Sequence, residues 1–269
     1  MNVHISKTGP NFMDALRMAS ATNTTSTEKK KVLTVTDPKV DAAVRDKLVT
    51  ARIALLLKAP FFGTLATRLE LVNADKWLPT AATDGKHFYY NSEFVNKLSD
   101  KQTQFLQGHE VLHVVYNHMD RRGDRDPQLS NIAADYAVNQ DLVDQRIGEK
   151  ITLVPILYDT RFSGMCYEEI YDVLHQEADK IDMKKLADSL LDEHMDGDDE
   201  DGEGKDGDPS DGSGPHKMTK EERKALRDEL REAVLQAAEN AGGAGNLPAG
   251  VRRLINAFTE PQMNWREII

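Results

Sequence analysis

The segment His109-Glu110-Val111-Leu112-His113 constrains this chain more than any other. Two histidines four residues apart lie on one face of a helix, one turn from each other, so both imidazoles can converge on one metal ion with a glutamate beside them. The flanks call for a helix. Ser99 with Gln102 three residues later makes a capping box, Phe105, Leu106, Leu112 and Val115 supply an apolar body, and RRGDRDP ends the pattern. The spacing predicts one buried central helix from Ser99 to about Met119. Two ligands do not complete a site. On an unbroken helix His118 lies about 140° around from His113 and about 180° from His109, so it points away from the metal and reads as a core or supporting histidine. Asp135 is the better third ligand. It follows His113 by 22 residues, on a helix that the RRGDRDP turn lets fold back antiparallel. Asn139, one turn further on the same face, is placed to hold a ligand by hydrogen bond.

Residues 1–36 are polar, rich in Ser, Thr and Asn, and without lasting periodicity, which predicts a flexible lead-in. Asp37-Pro38 is an N-cap followed by proline at the first helical position. Val40, Ala43, Val44, Leu48, Ile53 and Leu57 then carry a helical stripe that Pro60 ends. Asp84-Gly85 separates two short runs with aromatic content, a hairpin signal, so small antiparallel strands are expected ahead of the metal helix. Asp126-Pro127 opens the helix of Asp135, which stops near Gly148; a loop with Pro155 and a helix over 165–178 follow. Thr219 and Glu222 form another capping box, opening a charged helix that ends at Ala241-Gly242-Gly243, and 248–258 is a further amphipathic stretch. The expected class is α+β: mostly helical, with a small antiparallel sheet or hairpin, plus C-terminal helices. The expected division is a lead-in over 1–36, a main domain over 37–190, an acidic linker over 191–216 and a helical segment over 217–269. Leu226, Leu230, Val234 and Leu235 form a stripe that must be buried somewhere, so packing of the last segment onto the main domain is the alternative to a separate piece.

The formal charge of −11 belongs almost entirely to one tract: residues 192–214 hold eleven acids against Lys205 alone. Asp192, His194, Asp196, Gly197 and Glu203 fall at positions of a calcium-loop template, but histidine replaces an oxygen ligand, and a solvated linker is the better reading. No basic stripe with interleaved aromatics exists, which argues against nucleic-acid binding. No apolar run approaches the roughly 18 residues of a membrane span, and the first thirty residues lack the parts of a secretory signal. Cys166 is the only cysteine, which excludes an intrachain disulfide and fits a cytoplasmic setting.

HEVLHVVYNHMDRRGDRDPQLSNIAADYAVNQDL, preceded by TDGKHFYYNSEFVNKLS and followed by FSGMCYEEIYDVL, resembles the metallopeptidase domain found N-terminal to von Willebrand factor A-like domains in bacterial and phage proteins. The resemblance is strong over about 40–180 and weak over the C-terminal helices. It implies a zincin-like fold of the gluzincin kind with Zn²⁺ as cofactor, His109 and His113 as the zinc-binding pair, Glu110 as the catalytic glutamate and Asp135 at the acidic ligand position. In zincins an edge strand before the metal helix takes extended substrate by strand addition, and His87, Phe88, Tyr89 and Tyr90 occupy that place in the sequence. Tyr136, His87 and Tyr158 have the chemistry of an oxyanion donor, without a spacing argument. Two functions compete. One is a zinc metallopeptidase acting on a peptide or protein substrate. The other is a non-catalytic, zinc-containing interaction module working with a MoxR-type ATPase or a von Willebrand factor A-like partner. A structural site needs ligands but no base, so the presence of Glu110 favours hydrolysis. In that family a metal-ion-dependent adhesion-type domain usually follows the segment resembling LPAGVRRLINAFTEPQMNWREII, whereas the sequence given reaches Ile269, which leaves a truncated, split or stand-alone form open.

Overall fold

Helix α1 (Pro38–Lys58) starts at the expected cap: the Asp37 carboxylate accepts the Lys39 N–H at 2.8 Å and Pro38 fills the first turn. Its buried face is Val44, Leu48, Ala51 and Leu55. Ile53 and Leu57, assigned to the same stripe by sequence, are 52% and 80% exposed. At about 100° per residue, Ile53 stands roughly 180° around from Val44, so the run of apolar residues covers two faces and only one is packed. Pro60 ends α1 and at once begins α2 (Pro60–Ala66). The two helices meet where Gly63 backs onto the main chain of Leu55 and Leu56, leaving no room for a Cβ.

The hairpin forms as expected. β2 (Ala81–Thr83) pairs antiparallel with β3 (His87–Tyr90), in the register Ala81↔Tyr90 to Thr83↔Phe88. The Asp84 carboxylate holds the turn by accepting the N–H groups of Lys86 and His87 at 2.9 and 2.7 Å, and Gly85 supplies the positive φ of 89°. A third strand, β1 (Glu70–Asn73), joins the other side of β3 in parallel, so the sheet is mixed and its order is β1-β3-β2. The short α3 (Ser92–Lys97), capped by Asn91, leads into the central helix.

That helix, α4 (Asp100–Tyr116), has the expected Ser99–Gln102 capping box and is buried continuously from Thr103 to Tyr116. It shows no amphipathic stripe because it is covered on every side. It ends at Tyr116, three residues before the expected stop. Asn117 adopts the left-handed conformation (φ 52°, ψ 44°), and the chain restarts as α5 (His118–Arg121). Helix α6 (Pro127–Asp144) is capped by Asp126, which accepts the Leu129 N–H at 2.8 Å, and packs on α4. A loop with a 3-10 turn at Thr160–Phe162 leads to α7 (Tyr167–Gln176), which packs on α6.

The C-terminal helices are α8 (Lys220–Asn240) and α9 (Ala249–Thr259). Ala233, Val234, Ala237, Ala238, Ala241, Leu247 and Val251 lie in the same apolar core as Phe62, Phe105, Leu112 and Val138. Of the stripe inferred from sequence, Val234 is buried in this core and Leu230 partly so; α8 packs on α2, and its buried positions centre on alanines and Val234. A second core, under α6 and α7, is built from Ile132, Tyr136, Phe162, Ile170 and Leu174. The computed structural model describes residues 36–177, 214, 216 and 218–259; the lead-in before 36 and nearly all of the acidic tract, with what was expected of them, lie outside the described residues. No helix among the described residues is long and apolar enough to cross a membrane.

Candidate metal centre

α4 and α6 bring His109, His113 and Asp135 together in the interior. His109 and Asp135 have no exposed surface and His113 is 2% exposed. Nε2 of His113 stands 3.1 Å from Nε2 of His109 and 3.4 Å from Oδ1 of Asp135, and the remaining side of the triangle, His109 Nε2 to Asp135 Oδ1, is 3.6 Å. Ligands bound tetrahedrally at about 2.0–2.1 Å from a zinc ion stand ~3.3–3.4 Å apart. The three donor atoms therefore already have the spacing of three corners of a zinc tetrahedron. Two imidazole nitrogens and one carboxylate oxygen are a donor set that a divalent transition metal accepts. Glu110, between the two histidines in sequence, is also fully buried.

The hydrogen bonds around His109 determine which nitrogen it presents. Asn139 Nδ2 donates to the Leu157 carbonyl at 3.0 Å, which can only accept, so Asn139 Oδ1 is the atom that faces His109 Nδ1, also at 3.0 Å. An amide oxygen accepts only, so the ring proton sits on Nδ1 and the Nε2 lone pair is turned to the triangle. Asn139, on the same face one turn after Asp135, meets Nδ1 of His109 while Nε2 of that ring faces the triangle.

His118 stays outside the triangle, as the supporting histidine read from the sequence, but not where an unbroken helix would carry it. The left-handed Asn117 swings the chain, and His118 Nδ1 comes to 3.1 Å from His113 Nδ1, on the far side of that ring from the triangle. The direction read from an unbroken helix is corrected by that single residue. Asn is the non-glycine residue that most readily takes this conformation, and that was the available sequence signal.

The other sequence candidates are held in other contacts. His87, Phe88, Tyr89 and Tyr90 form the central strand β3, paired on both sides by β1 and β2, so it has no free edge for strand addition. Phe88, Tyr89 and Tyr90 are buried, and His87 is held by Asp84, Nδ1 to Oδ2 at 2.7 Å. The Tyr89 hydroxyl donates to the same carboxylate oxygen at 2.9 Å. Burial, with the Asp84 charge beside it, pushes that phenol well above its ordinary pKa. Tyr136 packs edge-on against Phe162, and burial raises its pKa too. Tyr158 lies under the Lys150 ammonium, 4.6 Å from the ring centre. Of the three oxyanion candidates, Tyr136 is the one that feels the Asp135 charge.

No curated protein and no solved structure matches this chain. Residues 44–269, from the first buried turn of α1 through the C-terminal helices, match the family described as "Putative metallopeptidase domain". With a triad suited to a metal at the heart of that span, the chain belongs to this family.

Proposed function

We propose that the chain is a zinc-dependent peptidase that hydrolyses peptide bonds of a peptide or protein substrate. The observation that carries this is the His109–His113–Asp135 triangle, whose sides match a tetrahedral zinc site, with a buried glutamate within the same motif. The ion held there would polarise the scissile carbonyl and acidify the attacking water. Glu110 takes the proton from that water and returns it to the leaving amine nitrogen. Asn139 keeps the His109 ring in the tautomer that can bind, and Asp135 supplies the negative charge that makes the site favourable for a dication.

A non-catalytic module with a structural zinc, serving an ATPase or a von Willebrand factor A-like partner, is the second reading. It is favoured by one observation, the complete burial of the ligands. Elemental analysis of the purified chain combined with a mixed-peptide library separates the two. One zinc per chain with cleavage that Glu110→Gln abolishes supports the peptidase. One zinc with no cleavage of any peptide supports the module, and no zinc overturns both.

A further inference from the structure

The two imidazoles of the triangle are supported differently, and the structure assigns His118 as the residue that orients His113, through a histidine-to-histidine hydrogen bond that fixes the tautomer of the ligand. This rests on the metal-site reading above. His113 turns Nε2 toward His109 and Asp135 and Nδ1 toward His118, at 3.1 Å. For Nε2 to offer a lone pair, Nδ1 must carry the ring proton, and the only direction for the bond is then His113 Nδ1–H donating to His118 Nδ1. His118 must in turn carry its own proton on Nε2. The reverse bond would protonate His113 on the very nitrogen that faces the triangle. His118 thus does for His113 what Asn139 does for His109.

The surroundings hold the His118 ring in place. It is 5% exposed, and its ring lies between those of Tyr116 and Tyr167, at 5.4 and 5.2 Å between centres. Its backbone is fixed by the left-handed turn at Asn117 and by Arg121, whose guanidinium bonds the Tyr116 carbonyl at 3.1 Å and reaches both Glu168 oxygens at 2.6 Å. The position is therefore a tertiary construction, outside the helix that carries the ligands.

The test uses the full chain loaded with Co²⁺, in wild-type, His118→Phe and His118→Asn forms, with chelator competition, visible absorption and circular dichroism. Phe keeps a ring between the tyrosines but cannot accept; Asn places an accepting oxygen where Nδ1 stands. The expected result is wild-type binding of one Co²⁺, binding about 10–100-fold weaker in His118→Phe with altered visible bands and unchanged circular dichroism, and recovery in His118→Asn. Wild-type affinity and spectrum in His118→Phe, or an Asn variant no better than Phe, overturn the inference while the metal site stands. A wild-type chain that takes up no Co²⁺ overturns the metal-site reading itself. Should His118→Phe misfold, imidazole ¹⁵N shifts of the zinc-loaded wild type decide: a proton on His118 Nε2 supports the assignment, and one on its Nδ1 overturns it.

Discussion

Asp135 and Asp141 stand six residues apart on α6, the first fully buried and the second partly buried, and they serve different ends. Asp135 faces two imidazole nitrogens at 3.6 and 3.4 Å. Asp141 faces donors: the Tyr116 hydroxyl at the end of α4 and the backbone N–H of Gly250 at the start of α9, with the Arg253 charge nearby. A Cβ on residue 250 would stand 2.6 Å from the Tyr116 hydroxyl and 2.9 Å from Asp141 Oδ2, so glycine is what lets α9 come this close. Six residues turn a helix by roughly 240°, which places the two carboxylates on different faces. A carboxylate withdrawn into the packing around α6 is therefore not by itself a metal ligand. Asp141 accepts from the Tyr116 hydroxyl and the Gly250 N–H and so ties α9 to α4, whereas Asp135 faces the two imidazole nitrogens with which it closes the triangle.

Substitutions can pull these roles apart. Asp135→Asn keeps the shape and removes the charged ligand. Metal affinity should fall by more than ~100-fold, since even residues that merely orient ligands are worth about 10–100-fold, and native mass spectrometry reads it directly. Glu110→Gln should leave the metal in place and lower peptide turnover by about 10²–10⁴-fold. Retained turnover would remove Glu110 from the role of base. Asp141→Ala should do the reverse of Asp135→Asn: full metal occupancy, with about 1–3 kcal/mol lost in urea unfolding as the Tyr116 hydroxyl and the Gly250 N–H lose their acceptor. Metal loss in that variant would show that the two aspartates are not separable.

Asp141 also carries a pH signature. Burial lifts its carboxyl above the ordinary value, although the Tyr116 hydroxyl and Arg253 pull it down. A raised carboxyl is most favourable to the fold at low pH, and its contribution is lost as pH rises from the ordinary value through the raised one. Asp141→Asn should remove that part of the stability profile while keeping an acceptor for Tyr116. The smallest effect is expected at Glu168. Burial would raise its carboxyl, yet the hydrogen bonds from Arg121 leave it below the ordinary value. Stability from this pair is complete above the ordinary carboxylate pKa and disappears as pH falls through the lowered one. Both side chains are about a third exposed, at 35% and 31%, so Glu168→Gln should cost only about 0.5–1 kcal/mol at neutral pH by thermal melting.

The meeting of His109, His113 and Asp135, with Asn139 against His109, was legible because each depends on helical periodicity and on one short turn between adjacent helices. The caps at Asp37, Ser99, Asp126 and Thr219 were legible for the same reason: a side chain and a backbone N–H two or three residues away settle them. The face of α1 was not, since apolar residues on two sides of a helix do not say which side meets the core. The role of His87, Phe88, Tyr89 and Tyr90 was not either. Their strand and its turn are local, but β3 loses its free edge only because β1 arrives in parallel, Glu70 opposite His87, from before the hairpin.

By itself the sequence determined the long helices, their N-terminal caps, the hairpin and the set of residues that could hold a metal, because contacts within a few residues of the chain decide those. Tertiary structure alone decided that the triad closes to a triangle of 3.1–3.6 Å, that the C-terminal helices share its core, and that His118 stands behind His113. The physical reason is the range of the interactions: a left-handed φ at Asn117, a carboxylate reached by Gly250 from over a hundred residues away and a strand paired across a crossover gain their energy only once distant segments have packed.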